Sequence, residues 1–268
     1  MVVIDMKLNY VKISPSQNMT ILITDFVDSK DYVKVANSVM RYESLYAEQV
    51  GFVIPPKHND SCVGIWMAGG EFCGNALLSV AAYSRYKGIC SDDNFFVSSS
   101  GSNNSLKCKT TYVDSNRFRV WGEVPNPLDV LPMDIDLNNK VISGNLVVMN
   151  GISHFITDYA VQKEEFDEIM DSLIDRITSN AVGIIPFKGI DETNFEINPY
   201  VYVKDTGSRY FERACGSGSL SLGIHLNNFM GIKSARVHQS GGIIDVEVAD
   251  KNYISTEVTI ISEGTVYI

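Results

Sequence analysis

A chain of 268 residues with a net charge of −10 and a pI near 4.9 is a poor partner for nucleic acid or an anionic membrane surface. Both are held by basic patches, and no cluster of Lys and Arg supplies one. Hydrophobic content of 45% with 20% charged residues describes a globular chain, large enough for two modest domains.

The first segment, MVVIDMKLNYVKIS, alternates as a strand, and Asp5 and Lys7 deny it the apolar run of a secretory signal. No apolar run approaches the ~18 residues of a membrane span, so a cytoplasmic chain is expected. NMTILITDF predicts a second strand. DYVKVANSVMRYESLY then has helical spacing, with Val33, Ala36, Val39 and Met40 marking an inner face. Strands surround Val50-Gly51, and EFCGNALLSVAAYSRYKG predicts a helix opening at Cys73. Leu77, Val80, Ala81 and Ser84 form its narrow, small-residue face. FFVSSSGSNNSLKCKTTYV and RFRVWGEV read as strands punctuated by Gly, Asn and Asp turns. NLVVMNGISHFITDY is a further strand, and EEFDEIMDSLIDRI a helix with Phe166, Ile169, Leu173 and Ile177 inward. After strands around Val182-Gly183, FERACGSGSLSLGIHLNNFMG opens another helix at Cys215, with Leu220, Leu222, Gly223 and Leu226 on its packing side. ARVHQSGGIIDVEVADKNYISTEVTIIS and EGTVYI close the chain as strands.

Three short matches recur in the same order. Ile23-Thr24-Asp25 returns as Ile156-Thr157-Asp158, Val50-Gly51 as Val182-Gly183, and Cys73-Gly74 as Cys215-Gly216, at offsets of 133, 132 and 142 residues. A short loop difference would account for the drift. The expected class is α+β: two pseudo-symmetric domains, each a mostly antiparallel sheet or barrel around a central helix. The expected boundaries are 1–122 with a returning strand 257–268, carrying Cys73, and 123–256, carrying Cys215.

Five cysteines, widely spaced and odd in number, argue against a disulfide framework. Cys62, Cys90 and Cys108 read as small buried hydrophobes. With no C-x-x-C and four scattered histidines, a metal site is not expected. Cys73 and Cys215 differ, because each opens a helix ahead of a glycine. Unpaired N–H groups and the helix dipole there favour a thiolate and can dock a carboxylate. Gly74 and Gly216 admit a ligand to the backbone; Asn75, Ser217 and Ser219 add donors. Two such helices aimed at one cleft between the domains would set a thiol on each face of an amino acid's Cα. One would remove the proton and the other return it to the opposite face, a scheme that needs no cofactor.

On the motifs Cys73-Gly74-Asn75 and Ala214-Cys215-Gly216-Ser217-Gly218, with His238 to Gly242 (HQSGG) and EGTVYI, the chain resembles the cofactor-independent amino-acid racemases and epimerases of the diaminopimelate epimerase fold. SPSQNMTILI, EQVGF and EFCGNA are most similar to the histidine racemases of staphylopine-type metallophore pathways. The resemblance implies that Cys73 and Cys215 are the two bases, that Asn18 lies near the substrate, and that Gly74, Asn75, Gly216 and Ser217 hold its carboxylate. It also implies a last strand that returns to the first domain, and a homodimer. The chain departs from diaminopimelate epimerases at Val53-Ile54, at Glu212-Arg213 and at Gly151-Ile152-Ser153-His154. These places should read the distal end of diaminopimelate, which makes that substrate unexpected. Glu48, Gln49, Glu71, His154 and Glu212 remain as candidates to read another side chain. Four of them also have a plain structural role open to them: a solvated strand-start charge for Glu48, a satisfied core imidazole for His154, a dipole-favouring carboxylate for Glu71, a surface ion pair for Glu212 with Arg213. The expected function is a histidine racemase. Its rivals are an epimerase of diaminopimelate or a proline-like amino acid, and an amino-acid-binding module without turnover.

Overall fold

A computed structural model of the protein describes residues 6–137, 140–204 and 207–268. Residues 1–5 of the first predicted strand lie outside them. The chain divides into two compact units, one of residues up to Glu123 together with Ser255–Ile268, the other Val124–Ile254.

The first unit contains β1 (Lys7–Pro15), β2 (Thr20–Ile23), β3 (Gln49–Ile54), β4 (Ser61–Met67), β5 (Asn94–Ser99), β6 (Leu106–Tyr112) and β7 (Arg117–Val124). Consecutive strands pair in chain order, and the terminal strand Asn252–Tyr267 pairs with both β1 and β7, so the ring of eight closes. Two pairs, β2 with β3 and β4 with β5, are parallel. Parallel neighbours need a crossover, and the two helices supply it: α1 (Tyr32–Met40) joins β2 to β3, and α2 (Gly74–Tyr86) joins β4 to β5.

The helices bury in different ways. In α1 the inner face is Tyr32, Val35, Ala36 and Val39, packed on Ile21, Ile23, Val50 and Phe52. Val33, expected on that face, is 56% exposed, because the stripe is rotated by one position. In α2 every residue from Gly74 to Ser84 is buried, and the helix touches all of β1 to β6. The narrow face read from the sequence is therefore a helix enclosed on all sides, which is why it carries almost no charge. Each fully buried Leu or Val in it contributes about 1.5–3 kcal/mol.

The second unit contains β8 (Asp129–Leu137), β9 (Lys140–Val148), β10 (Ile152–Thr157), β11 (Ala181–Gly189), β12 (Asn194–Ile197), β13 (Tyr200–Val203), β14 (Ser208–Phe211), β15 (Ser234–Gln239) and β16 (Gly242–Glu247). β9 and β10 are antiparallel, β10 and β11 parallel, β11 and β12 antiparallel, β12 and β15 parallel, β15 and β16 antiparallel. This is the series that β1 to β6 follow. α3 (Glu165–Ile174) joins β10 to β11 and buries Phe166, Ile169, Met170 and Leu173. Ile177, expected on that face, lies beyond the helix end and only packs against its edge. α4 (Gly216–Met230) takes the place of α2, buried from Gly218 to Ile224, and stops at Gly231 in the left-handed region, φ 71°. The drift between repeats comes from a hairpin and not a loop: β13 and β14 are inserted ahead of α4, with β13 also pairing with β11.

One cysteine expectation fails. Cys62 in β4 and Cys90, just after α2, form a disulfide with Cα atoms 6.0 Å apart. They are far apart in sequence, but α2 returns the chain to the start of β4. Cys108 is free and fully buried, and burial pushes its thiol far up, as expected of a structural cysteine.

Candidate active site

Cys73 is the N-cap of α2. Its backbone is extended (φ −131°, ψ 115°), and its sulfur accepts the Ala76 N–H at 3.5 Å. Sulfur here fills the role that a Ser or Asp oxygen usually plays. The side chain is partly exposed. Its S–H donates to Gln49 Oε1 at 2.9 Å, and Gln49 Nε2 donates to Asn18 Oδ1 and Thr20 Oγ1, each at 2.7 Å. Three of the residues singled out from sequence thus form one connected group in this unit: Asn18, Gln49 and Cys73. Gln49 serves the thiol, and Asn18 is buried behind it. The Glu48 carboxylate accepts the Met19 N–H at 3.0 Å. Glu71 is held through its backbone carbonyl, which accepts the Ser100 hydroxyl at 2.6 Å. Gly74 and Asn75 are buried in the first turn of α2.

Cys215 caps α4 in the same geometry (φ −114°, ψ 109°), accepting the Gly218 N–H at 3.2 Å. Its surroundings are different. It is buried, and Ser217 Oγ stands 3.5 Å from the sulfur. Burial pushes the thiol well above the ordinary cysteine range, and the Glu212 carboxylate pushes the same way by charge and hydrogen bonding. Ser217 and the Gly218 N–H pull the other way. The expectation that a helix start would draw both thiols toward neutrality therefore fails at Cys215, where desolvation and a nearby carboxylate outweigh the dipole. Gly216 is buried at the turn, and Ser217 is partly exposed.

His154, expected to touch substrate, is 0% exposed. Its Nε2 lies 2.9 Å from Ser217 Oγ, so its link to the sulfur runs through that hydroxyl. Sequence reasoning missed Gln239 and Thr20. Gln239 Oε1 accepts the Cys215 N–H at 2.7 Å, and its Nε2 donates to Ser219 Oγ at 2.9 Å. The HQSGG motif contained it. Thr20 had no signal beyond its place beside Met19.

Two cysteines thus cap two enclosed helices, each bonded to a glutamine. Residues 7–267 match the family described as the histidine racemase CntK N-terminal domain. The chain belongs to this histidine racemase family. It is 36% identical over 271 residues to a histidine racemase of Fusobacterium nucleatum subsp. nucleatum (strain ATCC 23726 / VPI 4351), with 97% of each chain covered. It is 26% identical over 272 residues to the histidine racemase of Staphylococcus aureus (strain Mu50 / ATCC 700699), covering 97% of this chain and 98% of that one. The fold is similar to that of a probable proline racemase from Agrobacterium radiobacter K84, solved with bound carbonate. The TM-score is 0.72, with 96% of this chain and 92% of that one covered at 11% identity. At that identity the likeness concerns the sheet-dominated fold alone.

Proposed function

We propose that this chain interconverts L- and D-histidine without a prosthetic group, with Cys73 and Cys215 as the two bases acting at one Cα. The observation that carries the reading is the pair of cysteine-capped helices, one in each unit. The histidine racemases to which the chain is related supply the substrate. The shared series of strand pairings supports a duplicated origin, and with it two pseudo-symmetric halves of the diaminopimelate epimerase kind.

In the proposed reaction one thiolate takes the Cα hydrogen as a proton, and the C–H electron pair stays on the substrate, delocalised into the carboxylate. The opposite S–H gives its proton to the other face of Cα. Configuration inverts, and thiol and thiolate exchange places. The first-turn N–H groups of α2 and α4, including those of Gly74, Asn75, Gly216 and Ser217, are suited to hold the carboxylate as charge builds on it. Gln49 Oε1 accepts a hydrogen bond from the Cys73 S–H in the thiol state. Glu212 favours the thiol state of Cys215. Both contacts favour the proton-carrying state, so whichever thiolate acts as the base draws on the first-turn N–H groups of its own helix.

The test is Cα deuterium incorporation in deuterated buffer over a panel of amino acids that includes L-histidine, meso-diaminopimelate and L-proline, read beside chiral chromatography. Exchange with D-histidine formed is the expected result. Exchange with another amino acid alone would keep the chemistry and replace the substrate. No exchange with any of them would overturn the reading in favour of a binding protein.

A further inference from the structure

His154 sits on β10 where packing alone would not place an imidazole. Its partner across the parallel pair is Gly183 of β11. A Cβ on Gly183 would lie 2.2 Å from His154 Nδ1 and 2.7 Å from Cε1, so only glycine leaves room for the ring. The first unit has the corresponding pair, β2 with β3, and there Leu22 stands opposite Gly51. Both side chains are 0% exposed. One unit therefore fills this place with a hydrocarbon, and the other buries a polar ring at a desolvation cost.

The ring is neutral, because burial pushes its pKa down to about 3. A neutral imidazole carries one N–H and one bare nitrogen. Nδ1 has no hydrogen-bond partner among the described residues. A buried N–H left without an acceptor is rarer and costlier than an unused lone pair. The hydrogen therefore belongs on Nε2, where Ser217 Oγ lies 2.9 Å away to receive it. Once that oxygen accepts from His154, its own hydrogen is free to point at Cys215 Sγ, 3.5 Å away.

We propose that His154 is a positioning residue that fixes Ser217 as a hydrogen-bond donor to the Cys215 sulfur and thereby favours the thiolate. The catalytic consequence rests on the reading of Cys215 as a base; the effect on the thiol does not. Glu212 is the charged group set against Cys215 and opposes ionisation, whereas Ser217 and the Gly218 N–H support it. His154 decides which way the Ser217 hydroxyl faces. The substrate carboxylate is then left the Ser217 backbone N–H, since the hydroxyl hydrogen is committed to sulfur.

The experiment is the pH profile of iodoacetamide alkylation in the full-length native protein. Cys215 and Cys73 are quantified separately by peptide mass spectrometry, so that Cys73 serves as the internal reference. His154→Leu gives the second unit the residue of the first and should fold, since it removes a buried polar group. Alkylation of Cys215 at pH 8 is expected to slow about tenfold, the scale of one hydrogen bond to a charged group, with its profile moved to higher pH and that of Cys73 unchanged. Ser217→Ala should do the same, and the double variant no more than either alone. Gly183→Ala, which displaces the ring without removing it, should shift the profile in the same direction. His154→Gln, which keeps an N–H donor, should recover part of the rate. A Cys215 profile unmoved in His154→Leu and Gly183→Ala, or one that moves together with that of Cys73, would overturn the proposal. Racemisation by Cys215→Ser would instead sink the two-base reading and leave the alkylation result standing.

Discussion

The two cysteine centres begin from one local design and end in different chemistry. At both, an extended cysteine caps a buried helix ahead of a glycine. Cys73 donates to the Gln49 amide, with Asn18 and Thr20 behind it. Around Cys215 there is a carboxylate, a hydroxyl and a buried imidazole, and the thiol is out of solvent. A helix start sets where a thiol points and gives it a constant bias. The charge and burial around it decide its protonation state.

The largest effect should come from removing either sulfur. Serine keeps the cap but is a far weaker base than thiolate. Cys73→Ser and Cys215→Ser are each expected to lower histidine racemisation by about a thousandfold, the scale of a lost acid–base group. The measurement is racemisation by chiral chromatography at saturating substrate. If either variant kept more than a tenth of wild-type activity, the two centres would not form a pair.

Only the first unit carries a staple. Cys62–Cys90 closes the segment that contains Cys73 and α2, at a sequence separation of 28. By loop entropy such a link stabilises the folded state by about 3.5 kcal/mol. The Cys62→Ala/Cys90→Ala variant should unfold at lower temperature, and reductant should lower the wild type's transition while leaving the variant's in place. Hydrogen exchange should locate the loss in β4 and α2 and leave α4 protected. Equal loss in both units would show that the difference between them does not extend to stability.

The electrostatics of each centre can be altered. Glu212→Gln removes the negative charge that resists ionisation of Cys215, so alkylation there should set in about one pH unit lower. Gln49→Glu places a carboxylate against Cys73 and should move its profile upward by a similar amount. Alkylation read separately at each cysteine checks both signs. If neither profile moved, charge at these two positions would not set the protonation of the thiols.

Much of this arrangement was legible in the sequence, because it is written in local signals. Cys-Gly at a helix start is a capping pattern, and Val50-Gly51 and Val182-Gly183 mark places where a strand must be approached closely: Ile65 Cδ1 would meet a Cβ on Gly51 at 2.7 Å. What stayed hidden depends on contacts between segments distant in the chain. The Cys62–Cys90 link needs the return path of α2. The burial of His154 depends on Gly183 opposite it, and the protonation of Cys215 on the way the segment after β14 lays Glu212 beside the sulfur. The inserted β13–β14 hairpin looked like a loop because its strands span only four residues each.

The smallest effect concerns α1, where the predicted face was rotated. Val33 is 56% exposed and Val35 is fully buried. Val33→Lys should change stability by no more than about 0.5 kcal/mol. Val35→Ala should cost about 2 kcal/mol, since it removes two buried carbons from a cluster that includes Ile21, Ile23 and Phe52. Urea unfolding with an unchanged slope distinguishes these outcomes from a change in the unfolded state. The matching pair in the second unit is Glu168→Ala, on the outer face of α3, against Ile169→Ala, which is fully buried in its own cluster. If the inner-face variants cost alike per buried carbon removed (two at Val35, three at Ile169), α1 and α3 are equivalent packing elements. The contrast between the units would then be confined to the cysteine centres and the strands beside them.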